Sequence, residues 1–183
     1  RFLRSLVNDF ERTTVVSSVE RDHLSAAGCE VGRVRIIPNG VDAGDLLVRH
    51  APLLARLVYP GSITYSANLD AVQYLVNEIY PKVRAARPDA TLEVTGDTGD
   101  VDLDTLSRGQ PGVTFTGRLP DVKRTIARST VCVVPLRIGG GTRLKVLEAM
   151  ALGTPVVSTA KGVEGLGLTP ERDVLLGDTP DEL

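Results

Sequence analysis

Apolar residues recur along this chain in two alternating rhythms. Short runs of β-branched or aliphatic residues, each closed by Gly, Pro, Asp or Asn, predict strands over 13–17, 34–37, 57–60, 92–95, 113–116, 131–134, 155–158 and 173–176. Between them the spacing lengthens to that of a helix. Phe2, Leu3, Leu6, Val7 and Phe10 share one helical face. Ser17 and Glu20 form an S-x-x-E capping box for a helix that ends near Gly28. Leu69, Val72, Leu75, Val76 and Ile79 line a helix over 68–79, which Pro81 breaks or restarts. Pro120 and Asp121 open a helix that runs to about Ser129. A last helix is expected to begin at 179–183. Residues 42–55 have no period and read as a linker, and 98–110 have no readable pattern. Strands and helices that alternate in this way imply an α/β fold, a Rossmann-like parallel sheet covered by helices on both faces.

The most informative stretch is 131–158, VCVVPLRIGGGTRLKVLEAMALGTPVVS. It reads as a buried strand, a glycine loop at Gly139, Gly140 and Gly141, a helix from about Thr142 to Leu152, a stop at Gly153 and a further strand. Leu144, Val146, Leu147, Met150, Ala151 and Leu152 spread apolar groups nearly all round the helix, so it should be largely buried. Arg143 and Lys145 stand in its first turn, where the helix dipole already places positive charge. A glycine loop, free N–H groups and two cations there describe a site for an external anion, most simply a phosphate. The other reading is a Gly-rich turn with two solvated cations and an i, i+3 pair between Lys145 and Glu148.

GGGTRLKVLEAMALGTPVVST resembles the donor segment of retaining family-four glycosyltransferases of GT-B architecture, most closely the subgroup carrying GGTRLKVLEAMA. The resemblance implies that Glu148 holds the donor ribose hydroxyls. The family's first Glu, seven residues earlier, contacts the donor sugar; here that position is Gly140. The N–H groups of Gly141, Thr142 and Arg143 remain to meet sugar or diphosphate. Upstream, a strand ending in Ser, a helix, and a strand running into IIPNGVD at 36–42 resemble the end of the same family's N-terminal domain. This divides the chain into 1–41, a remnant of that domain with its hinge, and 42–183, a nucleotide-sugar donor-binding domain. The remnant's two strands are expected to pair with each other, to pack on the donor domain, or to associate with a second copy of the chain.

Gly61, Gly96, Gly117 and the 139–141 loop all follow strand ends, so a parallel sheet gathers them on one rim, where such sheets bind ligands. Gly61-Ser62 stands where the family often has Gly-Arg, with a Lys some residues later; those positions here are Ser62 and Ala67 or Asn68. Arg143 and Lys145 are expected to take over that diphosphate clamp. Gly117, Arg118 and Leu119 match the turn that contacts the nucleobase. Lys161, Glu164 and Gly165 also match the subgroup and reach the rim, either as a structural turn or as a ligand contact.

With 21 basic and 23 acidic residues among 183, the chain has no overall field for nucleic acid or an anionic membrane, so any anion site is local. Cys29 and Cys132 suggest neither a disulfide framework nor a metal site, and a cytoplasmic setting is the default, peripheral to the inner membrane being the variant for a longer protein. His23 and His50 belong to no ligand-spaced cluster and are read as surface residues. The resemblance implies transfer of a glycosyl group from a nucleotide-diphosphate sugar to an acceptor glycan, lipid or small molecule, with no metal and no cofactor beyond the donor. No general base or nucleophile stands out, and the acceptor pocket belongs to a domain this chain mostly lacks, so the chain alone is expected to bind donor without transferring. A sugar-nucleotide epimerase and a non-catalytic nucleotide-binding module are the alternatives. A dinucleotide fold fits poorly, because GGGTRL lacks G-x-G-x-x-G spacing and comes late in the sheet.

Overall fold

The computed structural model describes residues 2–42 and 53–183, so His50 and most of the expected linker lie outside the described residues. The first part is a small body of its own. It comprises α1 (Phe2–Asp9), β1 (Thr13–Val15), α2 (Ser18–Ala26) and β2 (Val34–Ile36). The two strands pair with each other, parallel, with Thr13 opposite Val34. Val7, Leu24, Cys29 and Val34 form a separate small core beneath them. The capping box forms: Ser17 Oγ accepts from the Glu20 N–H at 3.2 Å, and the Glu20 carboxylate accepts from the Val16 N–H at 3.0 Å.

The second part carries the main sheet. β3 (Arg56–Pro60), β4 (Thr91–Thr95), β5 (Val113–Gly117), β6 (Val131–Val134), β7 (Val156–Ser158) and β8 (Leu175–Leu176) are all parallel, in the order β5-β4-β3-β6-β7-β8. The chain winds outward from β3 to β5, then returns to lay β6 on the other side of β3. That reversal is a topological switch point, and it opens a crevice beyond the C-terminal ends of β3 and β6.

Pro81 restarts its helix. α3 (Ser66–Tyr74) passes through a π-helical turn, Leu75–Ile79, into α4 (Tyr80–Ala86), whose first turn holds the proline. The wider turn accommodates a residue that has no N–H to give and a ring that crowds the preceding turn. In the unreadable stretch lies α5 (Leu103–Ser107), capped by Asp102, which accepts from the N–H groups of Asp104 and Thr105, both at 3.1 Å. α6 (Val122–Ala127) is capped by the Asp121 carboxylate, which accepts from the Arg124 N–H. Where the start of a last helix is expected, residues 180–182 form a turn, and the Glu182 carboxylate caps the N–H groups of Asp178 and Thr179.

The core lies between sheet and helices, with Tyr59, Ile63, Leu75, Ile79, Tyr80 and Ile126 fully enclosed. Tyr80 is tolerated there because its hydroxyl donates to the carbonyl oxygens of Ala90 and Pro111, at 2.8 and 3.0 Å. Gly112 makes room for it. Its φ is +81°, and a Cβ there would stand 2.6 Å from Tyr80 Oη and 3.2 Å from the Ala90 carbonyl oxygen. Gly112→Ala is therefore predicted to lower stability by about 1–3 kcal/mol, from left-handed strain and collision together. Urea unfolding measures it, and an unchanged midpoint would contradict this account of the core.

Candidate functional site

The strand ends meet as the sequence implies. Gly61 N–H donates to the Thr95 carbonyl oxygen and Gly96 N–H to that of Gly117, both at 2.9 Å. These bonds hold the three turns edge to edge. A Cβ on Gly96 would come within 2.6 Å of the Gly61 carbonyl carbon, so the rim closes only with glycine there. Ser62 points its hydroxyl into the rim's own structure, donating to the Asp97 carbonyl oxygen at 3.0 Å.

The helix after β6 is α7 (Leu144–Ala151), shorter than expected at both ends, with Arg143 at its N-cap. It closes as anticipated at Gly153, φ +73°. Gly153 N–H donates to the Met150 carbonyl oxygen and Thr154 N–H to that of Ala149, the paired bonds of a left-handed helix stop.

The loop between β6 and α7 is shaped from within. Arg143 is 6% exposed, and its guanidinium turns inward onto the loop's own carbonyls. Nη1 donates to the carbonyl oxygens of Gly140 and, at 2.7 Å, of Gly141; Nη2 donates to that of Gly139 at 3.0 Å. This differs from the expected role of Arg143 as one arm of an outward clamp. Three carbonyls competing for one buried fork of donors draw the guanidinium away from the rim. The amides fare differently. Among the described residues, the N–H groups of Gly139, Gly140, Gly141, Thr142 and Arg143 find no protein acceptor. A loop with its carbonyls bound inside and its amides unpaired carries net positive potential toward its ligand side.

Lys145 adds a full charge. Its Nζ donates to Tyr59 Oη at 2.9 Å and to Asn68 Oδ1 at 3.0 Å, and lies 4.0 Å from the centre of the Tyr59 ring. Tyr59 Oη in turn donates to Asn68 Oδ1 at 2.8 Å, and Asn68 Nδ2 donates to the Ser62 carbonyl oxygen at 2.7 Å. The triangle ties β3, α3 and α7 together at the switch point. A Cβ on Gly61 would stand 2.6 Å from the Lys145 nitrogen, so this glycine gives the ammonium its place. No carboxylate lies within ion-pair distance of Lys145 among the described residues. Burial pulls its pKa down to about 8, helped by the charge of Arg143 and opposed by Cys132 and Glu148. The same burial pushes the Cys132 thiol up to about 12. Buried charges are ordinarily paired with an opposite charge, because the cost of desolvation is otherwise uncompensated. This ammonium has dipoles and a ring instead, and keeps a third N–H unused.

The remaining candidates fall in three places. Glu148 lines a cavity of about 230 Å³ with Gly40, Val41, Asp42, Lys123 and Leu144. Gly117 holds φ +67°, and beside it Arg118 is bound to the Asp97 carboxylate, with Nη2 at 2.8 Å and Nε at 3.2 Å. The carboxyl of Asp97 is held below the usual range, first by the Gly99 N–H and then by Arg118. Leu119 follows, half-buried. Across the glycine loop the small N-terminal body approaches: Asn39 Nδ2 donates to Thr142 Oγ1 at 2.8 Å. Of the expectations for the two N-terminal strands, pairing with each other is realised, and the segment after β2 reaches the larger part through Asn39. His23, expected at the surface, is exposed and also lines a cavity with Gly139–Thr142. Tyr59 was not foreseen, because a tyrosine inside an apolar strand reads as core; Asn68 stood out only as an absent cation.

Among the described residues no helix is long and apolar enough to cross a membrane. No curated protein matches the chain. Solved structures do. HepE from Anabaena, in complex with UDP and glucose, superposes with a TM-score of 0.75 at 15% identity over 98% of this chain and 52% of its own. S. aureus TarM, in complex with fondaparinux, α-GlcNAc-glycerol and UDP, gives 0.77 at 13% identity over 98% of this chain and 36% of its own. The lipopolysaccharide outer core galactosyltransferase WaaB gives 0.65 at 20% identity over 93% and 49%. At these identities the likeness establishes the fold, the Rossmann-like half of a GT-B enzyme, and this chain spans about half or less of each. The family model for glycosyl transferases group 1 matches residues 55–182. Those residues hold the whole six-stranded sheet with its glycine rim, and the chain belongs to the group 1 glycosyl transferases.

Proposed function

We propose that this chain is the donor-binding part of a retaining hexosyltransferase that takes its sugar from a nucleotide diphosphate. Residues 42–183 form the donor domain, and residues 1–41 are the end of the domain before it. The observation that carries this is the half-buried Lys145 ammonium, which among the described residues has no carboxylate, beside five consecutive amides without a protein acceptor. Such a site is short of negative charge, and a diphosphate supplies it. UDP in the complexes of HepE and TarM makes it the first nucleotide to try. Lys145 and the amides of Gly139–Thr142 face the diphosphate, Glu148 the ribose, and the turn at Gly117, Arg118 and Leu119 the base. Gly61 and Ser62 line the approach.

In the transfer, the bond from the sugar's anomeric carbon to the diphosphate oxygen breaks, and its electron pair leaves with the nucleoside diphosphate. The acceptor hydroxyl oxygen bonds to the same carbon, and its proton passes to the departing nucleoside diphosphate. Charge grows on the leaving oxygen as the bond stretches. Fixed amides and an ammonium in a partly desolvated crevice stabilise that charge more than they stabilise the intact donor. The acceptor is bound by parts of the enzyme beyond this chain, so the chain alone binds donor and turns over none; glycosyl transfer by this chain with any acceptor would contradict the assignment.

Lys145→Met separates the functional role from a structural one. It removes a desolvated charge and leaves Tyr59 and Asn68 bonded to each other. The expected result is an unchanged or raised melting temperature, with UDP affinity reduced about 10- to 100-fold, the worth of one charge-assisted hydrogen bond. A fall in melting temperature with unaltered affinity would contradict it. The pH dependence has a matching sign. Below about pH 8 Lys145 is charged in both folded and unfolded chains, and its burial is a standing cost. Between about 8 and the ordinary lysine value of 10.5 only the unfolded chain keeps the proton, so this group's contribution to stability rises with pH. UDP affinity should fall over the same window while stability gains. Calorimetry at pH 7 and pH 9.5 measures both, and affinity that does not fall would count against Lys145.

A further inference from the structure

A cavity of about 610 Å³ opens between α5 and the helix that runs from α3 into its π-helical turn, Leu75–Ile79. None of the residues that line it belongs to the glycine rim or to the triangle around Lys145. Tyr74 and Leu106, both buried, form its inner surface. Two of its charged groups are already committed. Arg137 is bidentate to the Asp70 carboxylate, with Nη2 at 2.6 Å and Nε at 3.1 Å, and its guanidinium carbon lies 4.4 Å from the centre of the Tyr74 ring. Asp102 caps α5 and accepts from Thr105 Oγ1 at 2.6 Å.

The other polar side chains of the lining are uncommitted. Among the described residues, Gln73, Asn77, Glu78 and Arg108 have neither a hydrogen bond nor an ion pair through their side chains. Asn77 Oδ1 is closed off from solvent as well as unpartnered. A polar atom left in that state is costly, and rotating the carboxamide toward the cavity relieves the cost once a ligand offers a hydroxyl there. Arg108 caps the end of α5 at φ +48°, a left-handed position that glycine takes without strain. Glu78 and Arg108 share the cavity without pairing. The lining is therefore balanced in charge, Arg108 and Arg137 against Glu78 and Asp102, and has no surplus to draw a phosphate. It is too polar for an apolar ligand. It offers a donor, an acceptor and two carboxamides that are both. A saccharide hydroxyl also donates and accepts, and a ring that carries several of them uses all four groups at once.

We propose that this cavity is a saccharide-binding subsite apart from the donor crevice, in which Arg108, Glu78 and the carboxamides of Gln73 and Asn77 bond the hydroxyls of a neutral glycan. It goes beyond the donor-site reading and does not depend on it. Arg108→Gly removes the guanidinium and suits the left-handed backbone, so this variant should fold at least as well as wild type. Glu78→Gln, at an exposed position, removes the carboxylate with little change of shape. Amide NMR titrations of wild type and both variants with maltohexaose, cellohexaose, chitohexaose and mannohexaose, with L-alanine as a zwitterion able to span Glu78 and Arg108, test it. Expected are saturable shifts of the Gln73 and Asn77 side-chain amide signals with at least one oligosaccharide, the same with and without UDP. Affinity for that oligosaccharide should fall about tenfold in Arg108→Gly, the worth of one hydrogen bond to a charged group, and fall also in Glu78→Gln. Saturation by none of the oligosaccharides, or shifts confined to the amides of Gly139–Thr142, would overturn the subsite. So would variants that bind as wild type does, or a cavity that takes L-alanine and no oligosaccharide.

Discussion

A positive charge drawn partly out of water without a negative one beside it demands an explanation, and among the described residues Lys145 is such a charge. Its neighbours are a phenol, a carboxamide oxygen and an aromatic face. These soften the loss of water without replacing an anion. The adjoining loop shows the same imbalance in its backbone. Arg143 takes up three glycine carbonyls from inside, and among the described residues the loop's amides have no protein acceptor. Arg143 thus sets the loop's shape, and Lys145 supplies the charge.

The fold makes this imbalance possible. The crossover that puts β6 beside β3 also puts the amino end of α7 beside the exit of β3. Glycine at 61 is what allows the Lys145 side chain to fill the gap between them, and glycine at 96 lets the next turn close against it. The N-terminal body adds the opposing wall. Asn39 bonds the glycine loop and Ser17 lies against Gly165, so a cavity is lined from both sides.

Much of this was legible in the sequence because local signals and tertiary demands agree. The strand at 131–134 is apolar throughout because both faces are covered, and Gly153 follows a helix that needs a left-handed stop. The capping box at Ser17 and Glu20 names a helix start from two residues. Other features were hidden for physical reasons. α5 has too few turns to show a period, and its signal is one capping aspartate. At the site, the glycines, Lys145 and Glu148 could be named from residue type and motif. The direction of Arg143 could not, because it is decided by three carbonyls whose positions only the folded loop defines. Tyr59 and Asn68 were hidden for a related cause: their work is on Lys145, 86 and 77 residues away.

The chain contains only four lysines, Lys82, Lys123, Lys145 and Lys161, so each amine can be followed by NMR after ¹³Cε labelling. Titrating the Lys145 resonance with and without UDP is the most direct test of the central claim. The account predicts a pKa near 8 in the free protein and a marked rise when the nucleotide binds, as the anion restores the missing partner. A lysine that titrates at its ordinary value in both states, indifferent to UDP, would contradict it.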